Sequence, residues 1–283
     1  MQMRTTKSSR FTAHLAATIV LSLGLSLLPA SSPAQAARCG KTASGFSSWL
    51  DDFKGRAQAQ GISASTTARA LSGVTYDRAV IRRDRSQKSF KLSFNEFYRR
   101  RVGSYLLKKA RGKLRTHASL LRGIEKRYGV PPEILVSIWG LETNFGADGA
   151  GKYSIIRSIA TLAYDCRRSE FFTGHLMAAL RIVQKGDMSP SEMRGGWAGE
   201  IGQVQFLPGS YDRYAVDYDG NGRRDLVHSV PDILASTANF MKGHGWQRGG
   251  SWEPGTHNYS VIKDWNKADV YARTIAVMAD RLR

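Results

Sequence analysis

Apolar residues recur at helical spacing through most of the chain. Phe46, Trp49, Leu50, Phe53 and Ala57 fall at i, i+3, i+4, i+7 and i+11, one face of a helix closed by Gly61. A shorter helix is expected over 65–71, ended by Gly73. Between Arg78 and Arg127, Phe90, Leu92, Phe94, Phe97, Tyr98, Val102, Tyr105, Leu106 and Leu107 stand among many charges, the pattern of helices with one buried and one cationic face. Pro131 and Pro132 then open a helix predicted over 133–144, since proline suits a first turn. Further helices are predicted over 154–165, 168–184, 208–214, 231–241 and 266–282. Glycine-rich loops are expected over 188–206, 218–227 and 243–259. With no internal repeat, the pattern is that of a mainly α body whose loops line a cleft.

Two features change that picture at the amino end. Arg4, Lys7 and Arg10 precede an apolar run from Leu15 to Leu28, Pro29 breaks it, and Ala34-Gln35-Ala36 supplies the small residues of a cleavage site. Residues 1–36 are therefore expected to be a signal peptide cut before Ala37, because the run is shorter than the roughly twenty residues that span a bilayer. Arg38 ahead of Cys39 does not fit lipoprotein processing, so a soluble periplasmic protein is expected. Cys39 and Cys166 are the only cysteines of the 283 residues. In an oxidising compartment one bridge between them is the natural pairing, with two unpaired thiols as the alternative.

Charge is uneven. The whole chain carries +19, and from Ala37 onward 39 bases face 23 acids, a net of +16. Between Arg78 and Arg127, 17 Lys and Arg face only Asp84, Glu96 and Glu125, whereas from Tyr128 to the end 17 bases balance 17 acids. One segment thus holds the excess and implies an acidic partner. Export and the lack of nucleic-acid-binding motifs exclude nucleic acid, leaving an anionic cell-envelope surface.

Glu142 is the candidate for chemistry. At 100° per residue it lies about 20° from Leu135 and 40° from Ile138, among apolar neighbours. It also sits in the last helical turn, where the negative end of the dipole opposes a second negative charge. Both effects favour a carboxyl that keeps its proton, as a general acid for a poor alkoxide leaving group requires. A Glu that merely pairs at a helix end fits the spacing equally well. The loop from Gly195 to Phe206 adds two amides and two aromatics able to read hydroxyls and stack on sugar rings, with glycines that let a polymer approach the backbone. Asp217, Asp219, Asn221, Arg223 and Asp225 have the spacing of a calcium loop, but His228 stands where a bidentate carboxylate belongs. A structural cation such as calcium and a plain Asx turn are both open there.

Tyr128-Gly-Val-Pro-Pro-Glu-Ile-Leu-Val-Ser-Ile-Trp-Gly-Leu-Glu142-Thr-Asn-Phe-Gly146, Leu162-Ala-Tyr-Asp-Cys-Arg-Arg168, the loop from Gly195 to Pro208 and Tyr214-Ala-Val-Asp-Tyr-Asp-Gly-Asn-Gly222 occur in that order. Together they resemble the B-type lytic murein transglycosylases, a similarity running from about Phe46 to the C-terminus. The resemblance implies a lysozyme-like core at 128–283, with the basic helical segment at 37–127 packed on it. It implies that Glu142 protonates the bond between N-acetylmuramic acid and N-acetylglucosamine. The muramyl 6-hydroxyl then attacks, leaving a 1,6-anhydro end. No second catalytic carboxylate and no cofactor are required, unlike ordinary glycosidases. It further implies that Arg167 and Arg168 approach the acidic peptide stem, that Gln203, Gln205 and Phe206 line the saccharide cleft, and that Tyr98 and Asn266 contact sugar. Trp265 stands where relatives have Tyr, Gly196 where many have Ser, and Glu200 where some have a small residue. Asp165 and Asp187 read as helix-end residues. The expected partner is peptidoglycan, both glycan strands and peptide stems, bound by a monomer. A muramidase that uses water, with Glu200 as its extra carboxylate, and a wall-binding scaffold without turnover are the alternatives.

Overall fold

The computed structural model describes residues 39–87, 92–149 and 151–283. The expected signal peptide and Phe90 lie outside the described residues. The basic half of the chain forms α1 (Phe46–Ala59), α2 (Ala64–Leu71), α3 (Arg78–Arg85), α4 (Phe94–Arg101), α5 (Ser104–Thr116) and α6 (Ala118–Tyr128). Side-chain caps fix several starts: Ser63, Asp77 and Ser93 each accept a backbone N–H from the first turn of the helix that follows. Each of α4, α5 and α6 turns a short apolar set inward, Phe97, Leu107 with Ala110, and Leu121 with Ile124, while Arg99 and Arg100 face solvent and Arg101 reaches back to the Leu141 carbonyl.

The centre of the molecule is α7 (Pro132–Thr143), whose residues from Ile134 to Leu141 are all buried. Helices α5 and α6, with later elements, pack around it on several sides, so Glu142 meets apolar neighbours because the whole helix is enclosed. The chain continues through β1 (Tyr153–Ser154), α8 (Ile155–Tyr164), α9 (Ser169–Lys185), β2 (Arg194–Gly195), α10 (Pro208–Tyr214), α11 (Val230–Gly243), α12 (His257–Trp265) and α13 (Asp269–Asp280). Strands β1 and β2 pair antiparallel, Tyr153 opposite Gly195. Two-residue strands leave no alternation to read, so the pattern did not predict them. Helix α12 was also unforeseen: it fills part of the expected 243–259 loop, starting where Thr256 accepts the N–H of Tyr259.

Helix α13 packs against α7, α4 and α12, and α9 against α8, α10 and α2. These contacts bring the ends of α7 and α12 to one side of the core, facing the loop after β2. Cys39 and Cys166 form the expected disulfide, joining the segment before α1 to the turn between α8 and α9. No helix among the described residues is long and apolar enough to cross a membrane.

Candidate active site

Helix α7 ends abruptly. Asn144, Phe145 and Gly146 have φ of 50°, 62° and 80°, three successive left-handed residues that end the helix directly after Glu142 and Thr143. Such a conformation is unfavourable for Phe145 and needs support from packing. Its ring lies edge-on to Trp139 at 5.3 Å and occupies the space over Gly140, where an added Cβ would come within 2.8 Å of it. At Gly146 a Cβ would meet the Gln203 side chain at 2.4 Å. Lys109 donates to the Asn144 carbonyl and side-chain oxygen, and the Thr143 hydroxyl donates to the Gln203 carbonyl at 2.6 Å. Each small or left-handed position of this run is thus required by a contact.

The Glu142 carboxyl is held at one oxygen. Oε1 accepts the indole N–H of Trp265 at 2.9 Å and the hydroxyl of Tyr271 at 2.8 Å, the first from the end of α12 and the second from α13. Burial pushes the Glu142 carboxyl above the usual carboxylate range, and the charge of Glu200 adds to the push. The two hydrogen bonds and nearby Arg101 act the other way and only partly offset it. Tyr271 is itself driven well above its ordinary value, first by burial and then by Glu142, so it remains a donor; Arg101 also reaches its hydroxyl. Trp265 and Tyr271 are the partners the sequence did not reveal. They lie 123 and 129 residues from Glu142, and no local pattern marks them.

Glu142 opens onto a cavity of about 680 Å³. Arg167, Arg168, Gln205, Phe206 and Asn266 line it, and so do Phe171, Trp197 and Glu200, giving the cleft aromatic, cationic and acidic walls. Gln203 does not line it: its Oε1 accepts the Trp139 indole N–H at 2.7 Å and its Nε2 donates to the Val227 carbonyl at 2.7 Å, so both ends of the amide hold the protein together. Tyr98 also lies away from this cavity, its ring tilted against Phe94 at 5.6 Å and its hydroxyl accepting from Arg281. The glycines of the loop serve its own packing. A Cβ at Gly195 would strike the Glu200 carbonyl at 1.9 Å, and one at Gly202, where φ is 69°, the Leu226 carbonyl at 2.2 Å.

The arginine pair is braced from behind. Asp84, 2% exposed, accepts from Arg167 at 2.8 Å through Oδ2 and from Arg168 through Oδ1. Asp84 was the one acid among Arg82, Arg83 and Arg85, a signal that could have singled it out. Asp165 caps the end of α8 and pairs with Arg85, and Asp187 pairs with Arg224, the helix-end roles expected of both. His175, beside Phe171 in the cavity wall, accepts the Gly209 N–H, and burial lowers its pKa to about 4.

Residues 45–256 match the family described as transglycosylase SLT domain, three quarters of the sequence. The chain belongs to this family. Membrane-bound lytic murein transglycosylase B of Escherichia coli K12 is 43% identical over 123 residues, 43% of this chain and 34% of that protein, so the match spans about a third of the curated relative. SltB3 from Pseudomonas aeruginosa, in complex with NAG-anhNAM-pentapeptide, is 33% identical over 84% of this chain and 79% of its own, with a TM-score of 0.77. The Escherichia coli lytic transglycosylase Slt35 in complex with calcium is 23% identical, covering 87% of this chain and 96% of its own at a TM-score of 0.72; that likeness bears on the fold. The mainly helical, lysozyme-like architecture expected from the sequence is the family's fold.

In this member the acidic loop is held by hydrogen bonds to its own backbone. Asp217 accepts N–H groups from Gly220, Asn221 and Gly222, and Asn221 accepts that of Arg223. Oxygens of Asp217, Asp219 and Asp232 lie within 4.8 Å of one another. Asp225 instead accepts the N–H groups of Val227 and His228, and the third carboxylate comes from the first turn of α11. Three converging carboxylate oxygens suit a hard cation such as calcium, but the set shares only Asp217 and Asp219 with the residues the spacing named, and Asp232 also accepts the N–H groups of Tyr218 and Asp225.

Proposed function

We propose that the protein is a lytic murein transglycosylase. It cleaves the β-1,4 bond between N-acetylmuramic acid and N-acetylglucosamine without water and leaves 1,6-anhydromuramyl ends. What supports this most is Glu142: a carboxyl whose pKa burial raises, fixed by Trp265 and Tyr271 at the floor of a cleft large enough for saccharide. Glu142 gives its proton to the glycosidic oxygen as the C1–O bond breaks, and the substrate's acetamido oxygen bonds to C1. The muramyl 6-hydroxyl oxygen then attacks C1, that acetamido bond breaks, and the hydroxyl proton passes to the Glu142 carboxylate. The acid is restored and nothing is consumed. Arg167 and Arg168 face the acidic peptide stem, Gln205, Phe206 and Asn266 the sugars, and Gln203 keeps Trp139 and the cleft floor in place. Tyr98 serves a sugar only where a strand extends past this cavity.

Mass spectrometry of products from purified sacculi tests the reading, since anhydro ends are lighter by one water than muramidase products. Reducing ends alone would leave the water-using alternative, and sacculi bound but undegraded would leave the scaffold. The protein is exported to the periplasm by loss of residues 1–36 and works there in soluble form; the amino-terminal sequence of the mature chain checks the cut before Ala37. Asp217, Asp219 and Asp232 would hold a calcium ion, with a structural rather than catalytic effect.

A further inference from the structure

Glu200 is a second acid in the same cavity as Glu142, close enough for its charge to act on that residue. The loop is built around it. The Glu200 carbonyl accepts the Gly196 N–H at 2.9 Å, and Gly199, at φ 94°, turns the chain so that the Ala198 N–H donates to Glu200 Oε2 at 2.9 Å. The backbone N–H of Glu200 itself also reaches this carboxyl, and among the described residues no basic side chain forms an ion pair with it. Gly196 leaves it room: a Cβ there would lie 2.1 Å from Oε2 and 2.8 Å from Cδ. The carboxyl therefore fills the volume that a side chain at position 196 would occupy, beside the catalytic acid. A largely desolvated carboxyl in a binding cleft, with backbone N–H partners but no cation beside it, gains from a further N–H or O–H donor brought by the ligand.

We propose that Glu200 accepts the acetamido N–H of the sugar whose bond Glu142 protonates, and so holds that group where its oxygen can bond to C1. This rests on the transglycosylase reading above. A carboxyl on the N–H draws the amide toward its imidic form, which strengthens the oxygen as a nucleophile. Glu200 makes no bond and keeps no proton; it is released when the 6-hydroxyl displaces the acetamido oxygen. The single-acid reaction gains a second contact that grows as positive charge develops on the amide.

The test compares wild type, Glu200→Gln, Gly196→Ala and Glu142→Gln on purified sacculi. The second probe is a GlcNAc-derived thiazoline, in which the acetamido group is already cyclised onto C1. In Glu200→Gln, kcat should fall on the order of 10- to 100-fold with KM nearly unchanged. Thiazoline affinity should fall by a similar factor while sacculus binding persists. Gly196→Ala, whose methyl displaces the carboxyl without removing it, should reproduce both losses, and should add none in a Glu200→Ala background; it carries the test if Glu200→Gln fails to fold. Wild-type kcat and thiazoline affinity in a folded Glu200→Gln or Gly196→Ala protein overturn the proposal. Full activity in Glu142→Gln overturns the transglycosylase reading instead, so the two failures are distinct.

Discussion

On the proposed mechanism Glu142 meets two opposed demands, since the burial that raises its pKa also disfavours the charged form it would pass through. Replacing it with Gln should lower turnover of sacculi by about 10³-fold or more, while binding is retained. Its folded pKa is raised, so its contribution to stability is fully present below the unfolded value and is lost as pH rises through the folded one. The Gln variant should therefore melt above wild type at pH 7, with the gap closing as pH falls below about 4; equal melting temperatures at both pH values would contradict the desolvated site. Activity follows the same titration. As the acid must be protonated, kcat should fall on the alkaline side of a pKa above the usual carboxylate range, and Trp265→Phe, which removes a donor to the carboxylate, should move that limb to higher pH.

At the scale of elements, the active site depends on braces outside it. Asp84 on α3 joins both cleft arginines from a buried position, and removing its charge should loosen Arg167 and Arg168 together. Asp84→Asn is expected to cost about 1–3 kcal/mol, less than for a fully buried pair because both arginines are partly exposed. It should also raise KM for peptide-bearing glycan more than for peptide-free glycan, which kinetics on the two substrates would measure. The disulfide closes a loop of 127 residues in sequence separation, so Cys39→Ala with Cys166→Ala should lower stability by about 2–4 kcal/mol in denaturant melts. The helices themselves were largely legible, because periodicity and caps are local. Trp265 was visible as a substitution and Tyr271 not at all. Their role is set by how α12 and α13 fold back on α7, and no spacing encodes that.

Across the whole molecule, the basic helices present a cationic face beside a core of balanced charge. Long-range attraction should gather the enzyme on the anionic wall, and sacculus binding should fall severalfold between low salt and about 0.5 M, where screening is short-ranged. Salt-independent binding would leave that face as a solvated surface only. Calcium at millimolar concentration should raise the melting temperature of wild type but not of Asp232→Asn, the buried carboxylate that the spacing of the acidic loop did not include.

The amino-acid sequence alone determined the helical class and the one charged segment, and it singled out Glu142 and a Cys39–Cys166 pairing as candidates. Those follow from periodicity, composition, residue count and four ordered motifs, all of which survive in one dimension. Which residues face the cleft was decided by the tertiary structure. Gln203 and Gln205 are two positions apart in one loop, yet the first locks Trp139 and the second meets the cavity. Glu200 became a second acid of the site only because Gly196 leaves it room and Gly199 turns the chain to cap it. Side-chain direction and shared volume arise when distant segments pack, so the chemistry of a cleft is fixed at that stage.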